Sequence, residues 1–252
     1  MLLTKKVIIF DLDGTLAESK SILDKEMAGL LCVLFEKRNV AVIGGGDYKQ
    51  FKKQFLDHLR CSNVGYRNLF LMPTSGARFF KFQKNKWEKV YECNLTQKEK
   101  LKILSAFKKV FRDINYQEPV KKYGTVIEDR GSQITFSALG QKAPLIEKEN
   151  WNKKNDVRKK IKSALETYVP EFEIRLGGLT SIDITKKGID KAYGIEKLLK
   201  FFNVSIREIV YVGDALYKGG NDFAVLRTGV DSIKIFGPNE TKDLVRQILL
   251  IK

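Results

Sequence analysis

Asp11-Leu12-Asp13-Gly14-Thr15 sets two carboxylates two residues apart, directly after the apolar run Val7-Ile8-Ile9-Phe10. A β-branched run stopped by small polar residues has the profile of a buried parallel strand ending in a loop, the edge where open α/β sheets place ligands. Phosphoryl transfer needs an in-line nucleophile, a group that gives and takes protons, and positive charge near the phosphoryl oxygens. Asp11 suits the nucleophile, because a carboxylate of ordinary pKa near ~3.9 is ionised at neutral pH and forms an acyl phosphate open to later attack. Asp13 suits the general acid and base. The two carboxylates repel each other, and a hard cation such as Mg²⁺ offsets that repulsion. Its candidate ligands are Asp11, the backbone carbonyl of Asp13, and Asp214 after the apolar run Ile209-Val210-Tyr211-Val212. Asn221 and Asp222, in Gly219-Gly220-Asn221-Asp222, are placed to hold metal-bound waters or to orient Lys191, the candidate phosphate-facing cation. Gly44, Gly45 and Gly46 offer backbone N–H groups for phosphoryl oxygens at a helix start.

The elements that must position these residues follow from hydrophobic patterning. Val40 to Ile43 stops at the glycine triplet as Val7 to Phe10 stops at Asp11. Helical spacing runs from Met27 to Phe35, and Asp47 caps a second helix bearing Phe51, Phe55 and Leu59. Alternating strands and helices predict a doubly wound parallel sheet. The middle of the chain reads instead as hairpins, Arg78–Phe82 with Trp87–Tyr91, Thr125–Glu128 with Ile134–Ser137, and a third turning at Gly177-Gly178. A helix opens at the capping box Thr96-Gln97-Lys98-Glu99 and carries Leu101, Leu104, Phe107 and Phe111; another runs from Asn155 through Val157, Ile161, Leu165 and Tyr168. The expected organisation is an α/β core over 1–81 and 186–252, with an inserted α+β module over 82–185 containing an antiparallel sheet.

With 252 residues, 43% of them hydrophobic, the chain can bury two cores. No apolar run approaches the ~18 residues that span a bilayer, and Val7 to Phe10 is too short for a secretory leader, so a cytoplasmic protein without membrane association is expected. Cys32, Cys61 and Cys93 have no metal-type spacing and read as buried thiols in a reducing compartment. The net charge of +16 is dispersed in pairs such as Lys52-Lys53 and Lys108-Lys109, the pattern of solvated helix faces. It attracts phosphorylated ligands and, non-specifically, nucleic acid, but no nucleic-acid-binding motif accompanies it. His58, the single histidine, and Phe79, Phe80, Phe201 and Phe202 read as structural.

Taken in order, Asp11–Thr15, Gly44-Gly45-Gly46-Asp47, Gly188-Ile189-Asp190-Lys191 and Gly213-Asp214 with Gly219–Asp222 resemble motifs one to four of the haloacid-dehalogenase-like superfamily. The whole pattern is similar to the eukaryotic-type phosphomannomutase branch, in subclass IIB, whose C2-type cap is inserted between motifs two and three. Met72-Pro73-Thr74-Ser75-Gly76 and Leu176-Gly177-Gly178-Leu179-Thr180-Ser181-Ile182-Asp183 extend the likeness over nearly the whole chain. The resemblance implies a Mg²⁺-dependent enzyme forming phospho-Asp11, with Arg130, Ser181 and Asp183 facing a phosphorylated sugar. It also implies several cap arginines for a distal phosphate, yet Tyr123 and Gln141 stand at two of those positions, and Gly46 replaces the motif-two serine. Arg175 and Lys142 are candidate replacements for that charge.

A mutase must hold two phosphates in turn, so fewer bidentate guanidinium contacts weaken the bisphosphate it needs. The sequence therefore favours a phosphatase acting on a sugar phosphate or similar small ester, with a hexose phosphomutase using a sugar 1,6-bisphosphate as the alternative. A nucleic-acid-associated protein with a vestigial site is the weaker alternative. A homodimer is left open.

Overall fold

A computed structural model describes residues 5–19, 21–154 and 157–250, without the side chains of 152–154. The chain forms two compact units, one of Met1–Glu92 with Asp190–Lys252 and one of Cys93–Ile189.

The first unit is built on a seven-stranded sheet. Its strands are β1 (Val7–Asp11), β2 (Asn39–Ile43), β3 (Leu69–Met72), β4 (Arg78–Gln83), β5 (Lys86–Glu92), β10 (Ile209–Gly213) and β11 (Asp231–Lys234), in the spatial order β11-β10-β1-β2-β3-β4-β5. The five strands from β11 to β3 are parallel, and β4 and β5 extend the sheet antiparallel. Both faces of its central strands are apolar. Ile8, Phe10, Val40, Val42, Val210 and Val212 pack toward α1 (Lys25–Lys37) and α8 (Pro238–Leu250), whereas Val7, Ile9, Ala41, Ile43 and Ile209 pack toward α7 (Lys191–Phe202). Because side chains alternate along a strand, a strand buried on both faces must be apolar throughout, which is why these runs show no polar alternation. The chain leaves β1 for β2 on one side, while β10 and β11 lie on the other. The point where connections diverge therefore falls between β1 and β10, beside Asp11 and Asp214.

The second unit carries a four-stranded antiparallel sheet of β6 (Ile127–Asp129), β7 (Gln133–Ser137), β8 (Phe172–Gly177) and β9 (Ser181–Lys186), ordered β6-β7-β9-β8. Ile134, Phe136, Ile174, Ile182 and Ile184 form one face and pack on α4 (Gln97–Asp113) and α6 (Val157–Tyr168). The other face is polar, with Gln133, Thr135 and Ser137 opposite Thr185, Asp183 and Ser181. The capping box at Thr96 and Glu99 starts α4 as patterned.

Several sequence expectations are corrected. The Arg78–Tyr91 hairpin belongs to the large sheet, because Phe70 and Leu71 of β3 pair with β4. The unit boundaries accordingly fall after Glu92 and Ile189 rather than after 81 and 185. Alternation marked the hairpin but carries no record of which sheet edge it joins. Its turn, Lys84-Asn85, has φ of 51° and 58°, the geometry that matches strand twist. The sequence patterning does not mark β3 or α5 (Leu145–Lys154), nor β11 or α8, and Asn155, the expected start of α6, lies outside the described residues. In α4 the buried stripe is Ile103, Ala106, Phe107 and Val110, and Leu101 is exposed. Phe79 is core as expected, while Phe201 sits at the core's edge, 4.9 Å from the Phe79 ring. Cys32 and Cys61 are not thiols but a disulfide with a Cα separation of 4.9 Å, formed where α1 packs on α3 (Asn63–Arg67). The cysteines thus no longer argue for a reducing compartment. No helix among the described residues is long and apolar enough to cross a membrane.

Candidate active site

Asp11 is the last residue of β1, in register with Ile43 of β2, so its position is set by the centre of the sheet. After it the chain turns sharply, with the Gly14 N–H donating to the Ala17 carbonyl at 2.7 Å. Gly14 has φ of 87°, and a Cβ there would lie 2.5 Å from Asp214 Oδ2, so glycine lets the Asp214 carboxylate lie against the backbone. Thr15 Oγ1 faces Asp214 Oδ1 at 3.5 Å. The Asp13 carboxylate is held by a different route: Gln50 donates to Gln54 at 3.1 Å, and Gln54 Nε2 donates to Asp13 Oδ1 at 2.8 Å. Both glutamines lie on α2 (Tyr48–Gln54), capped by Asp47 as its sequence required.

Lys191 opens α7. Asp190 caps that helix by accepting from the Tyr193 N–H at 3.0 Å and pairs with Arg227 at 2.5 Å. A close approach of Gly76 to Gly194, where a Cβ on Gly76 would lie 2.9 Å from Gly194 Cα, seats α7 on the turn after β3. Thr74, Ser75 and Gly76 there have φ of 51°, 55° and 87°. This turn is sparsely populated for threonine and serine, and it is held by N–H donations from Thr74 to the Gly46 carbonyl (2.7 Å) and from Ser75 to the Gly44 carbonyl (2.8 Å).

The side chains so positioned converge. Lys191 Nζ donates to Asp11 Oδ1, to Asp222 Oδ1 at 2.5 Å and to Tyr211 Oη at 3.3 Å. Tyr211 donates to Asp222 Oδ1 at 2.6 Å, and Asp222 Oδ2 accepts from the Ala215 N–H at 3.0 Å. Asp11, Lys191, Tyr211 and Asp222 are all at most 1% exposed. Burial pushes the Asp11 carboxyl well above the usual range against the pull of Lys191, and Asp222 and Asp214 add to the rise. Burial likewise raises Asp214, with Asp222 beside it. For Lys191 burial acts downward, but Asp11 and Asp222 outweigh it and hold the ammonium protonated.

Three carboxylates facing one ammonium leave negative charge in excess, which suits a cation. Ligand atoms of Asp11, Asp214 and Asp222 lie within 4.8 Å of one another. Asp11 Oδ2 is buried with no hydrogen-bond partner, a costly state that a hard cation relieves. The residues therefore fit a metal ion, with Asp11 and Asp214 the better-placed direct ligands because both Asp222 oxygens already accept hydrogen bonds.

Asn221 is half-buried in the turn beside Asp222. The glycine triplet is less available than its sequence implied: the Gly44 N–H donates to the Met72 carbonyl at 3.3 Å, continuing the β2–β3 ladder. Arg130, Ser181 and Asp183 lie in the second unit. Arg130 is buried and pairs with Glu128 at 2.7 Å, and it also donates to Gln141 at 3.2 Å. Asp183 accepts from Thr135 at 2.7 Å, and Ser181 is buried beside Ser137 across the β7–β9 ladder. Gln54, Tyr211 and Arg227 were missed. Tyr211 did leave a signal, as the one polar-tipped residue in an aliphatic strand that ends just before Asp214.

The sequence profile of the eukaryotic phosphomannomutase family matches residues 27–251. The chain belongs to that family. Among the family's members, the phosphomannomutase of Encephalitozoon cuniculi is 28% identical over 97% of this chain and 94% of its own. Human phosphomannomutase 1 is 29% identical over 95% of this chain and 90% of its own. These alignments take in most of the sequence upstream of residue 27 as well. At the level of fold, C-terminally truncated IMP-nucleotidase of Plasmodium falciparum superposes with a TM-score of 0.74 over 100% of this chain and 74% of that chain, at 18% identity. SMU.1108c of Streptococcus mutans UA159 gives 0.68 over 97% and 99%, at 19% identity. Family membership makes the protein an enzyme of the haloacid-dehalogenase-like superfamily and favours the mutase alternative over the phosphatase that the sequence analysis preferred.

Proposed function

We propose that the protein is a hexose phosphomutase that moves a phosphoryl group between the two ends of a sugar phosphate through phospho-Asp11. The observation that carries this reading is the buried Asp11–Lys191–Asp222 cluster in a chain of the phosphomannomutase family. An Asp11 carboxylate oxygen attacks phosphorus, the P–O bond to the sugar breaks, and Asp13 gives its proton to the departing oxygen. Asp13 then takes the proton from the free hydroxyl of a sugar monophosphate as that oxygen attacks phospho-Asp11, giving a sugar bisphosphate whose other phosphoryl group returns to Asp11 as the isomeric monophosphate leaves. Gln54 holds Asp13 in place for both transfers. Lys191 offsets charge on the transferring group. Asp11, Asp214 and the Asp13 carbonyl would hold a Mg²⁺ ion, with Asn221 and Asp222 as further candidates, and the ion would supply further charge compensation. In the second unit Ser181 and Asp183 supply hydroxyl recognition and Arg130 a phosphate contact.

A phosphatase is the second reading, favoured by Tyr123 and Gln141, which stand at two positions of the implied arginine clamp while Arg130 stands at another. The deciding experiment incubates the protein and Mg²⁺ with mannose 1-phosphate or glucose 1-phosphate, with and without hexose 1,6-bisphosphate, following the 6-phosphate and free phosphate. Primer-dependent 6-phosphate supports the mutase; free phosphate alone overturns it in favour of the phosphatase.

A further inference from the structure

Tyr211 places a hydroxyl where its surroundings call for a hydrocarbon. The ring sits in the apolar layer with Val7, Ile9, Ile195 and Val225, and the residue is wholly buried. A buried hydroxyl is costly unless it is hydrogen-bonded, and phenylalanine would fill the same space without that cost. Its bonds run only toward the reaction centre: the hydroxyl donates to Asp222 Oδ1 at 2.6 Å and accepts from Lys191 Nζ at 3.3 Å. A Cβ on Gly213 would stand 2.7 Å from the Tyr211 ring and 2.5 Å from Asp222 Oδ2, so glycine lets both pack against the backbone there.

An ammonium has three N–H donors, and those of Lys191 have three acceptors on three elements: Asp11 at the end of β1, Asp222 in the turn after β10, and Tyr211 within β10. Two acceptors define an axis about which the ammonium can still pivot, and a third removes that freedom. The geometry points to Tyr211 as a positioning residue for phosphoryl transfer, one that acts through Lys191 by fixing its ammonium between Asp11 and Asp222. This rests on phospho-Asp11 chemistry but not on whether a sugar or water accepts the phosphoryl group.

The test uses Tyr211→Phe, Lys191→Met and the double variant with p-nitrophenyl phosphate and Mg²⁺, since that reaction needs only the formation and hydrolysis of phospho-Asp11. Tyr211→Phe is expected to lower kcat about tenfold with KM within twofold, as loss of orientation does. In the Lys191→Met background the same change is expected to cost less than twofold, because the group it orients is gone. A full tenfold loss in both backgrounds would mean a packing role independent of Lys191 and would overturn the assignment, as would wild-type kcat and KM in Tyr211→Phe. Should Tyr211→Phe fold poorly, the same cycle is read as urea stability: coupling between positions 211 and 191 supports the assignment and additivity overturns it. Mannose 1-phosphate isomerisation by the wild type is measured separately, so a failed mutase reading leaves the Tyr211 outcome standing. Turnover of neither substrate by the wild type overturns both.

Discussion

The two units treat polar groups in opposite ways. In the central parallel strands of the seven-stranded sheet buried polarity gathers at one edge, where, among the described residues, three carboxylates meet a single ammonium and one carboxylate oxygen has no hydrogen-bond partner. In the four-stranded sheet it covers a whole face, and its charges are matched locally, Arg130 with Glu128 and Arg175 with Glu173. Hydrogen bonds link side chains there in series, Gln133 donating to Thr135 and Thr135 to Asp183. The first arrangement concentrates unbalanced charge, which stabilises a transition state but strains the resting protein. The second offers many modest hydrogen bonds, which suits recognition of hydroxyls.

Breaking the first arrangement should have the larger consequences. Asp11→Asn should lower turnover by at least about 10³-fold in assays of both 6-phosphate and free phosphate, because the group that forms the intermediate is gone. Lys191→Met should cost about 3 kcal/mol in urea denaturation at pH 8, since it leaves Asp11 and Asp222 buried without their cation, and the cost should fall as pH is lowered, because protonation of the raised Asp11 carboxyl removes one uncompensated charge. Arg130→Met in the other unit should cost only about 1 kcal/mol, because its partner Glu128 reaches water. Equal losses at the two sites would erase the contrast.

Mg²⁺ at about 100 times its dissociation constant should stabilise the protein by about 2.7 kcal/mol in thermal melts. The sign of its pH dependence follows from the raised pKa of Asp11 and Asp214. Groups raised on folding favour the metal-free fold at low pH and lose that contribution as pH rises through their folded values, whereas metal binding needs them ionised. The gain from Mg²⁺ should therefore be greater at pH 8 than at pH 5.5, and a gain that shrinks with pH would remove these carboxylates as ligands. The smallest effect sharpens the contrast from the surface. Glu208 is lowered to about 2, chiefly by Lys6 with Ser205. Its contribution is present above the ordinary carboxylate value of 4.5 and lost as pH falls through about 2. Glu208→Gln should thus lower the melting temperature slightly at pH 7 and not at pH 2.

Much of the site was legible because its residues follow elements with strong local signatures. Asp11 and Asp214 sit where apolar runs stop, and Asp47 and the Thr96–Glu99 box cap helices, rules that act within a few residues of chain. Arg130 was legible as a position, but not as the partner of Glu128 and Gln141. Gln54 was hidden because nothing in a helix's sequence says which side chain beyond it a glutamine will reach.

The sequence by itself determined the doubly wound core, the inserted antiparallel unit and the identity of the carboxylates and lysine, since periodicity and stop signals are local properties of the chain. Only the tertiary structure decided that the Arg78–Glu92 hairpin extends the large sheet, that Cys32 bonds to Cys61, and that the Tyr211 hydroxyl meets Lys191 and Asp222. Each of these joins residues that the chain separates and packing brings together, and no local spacing encodes which distant partner a buried group will find.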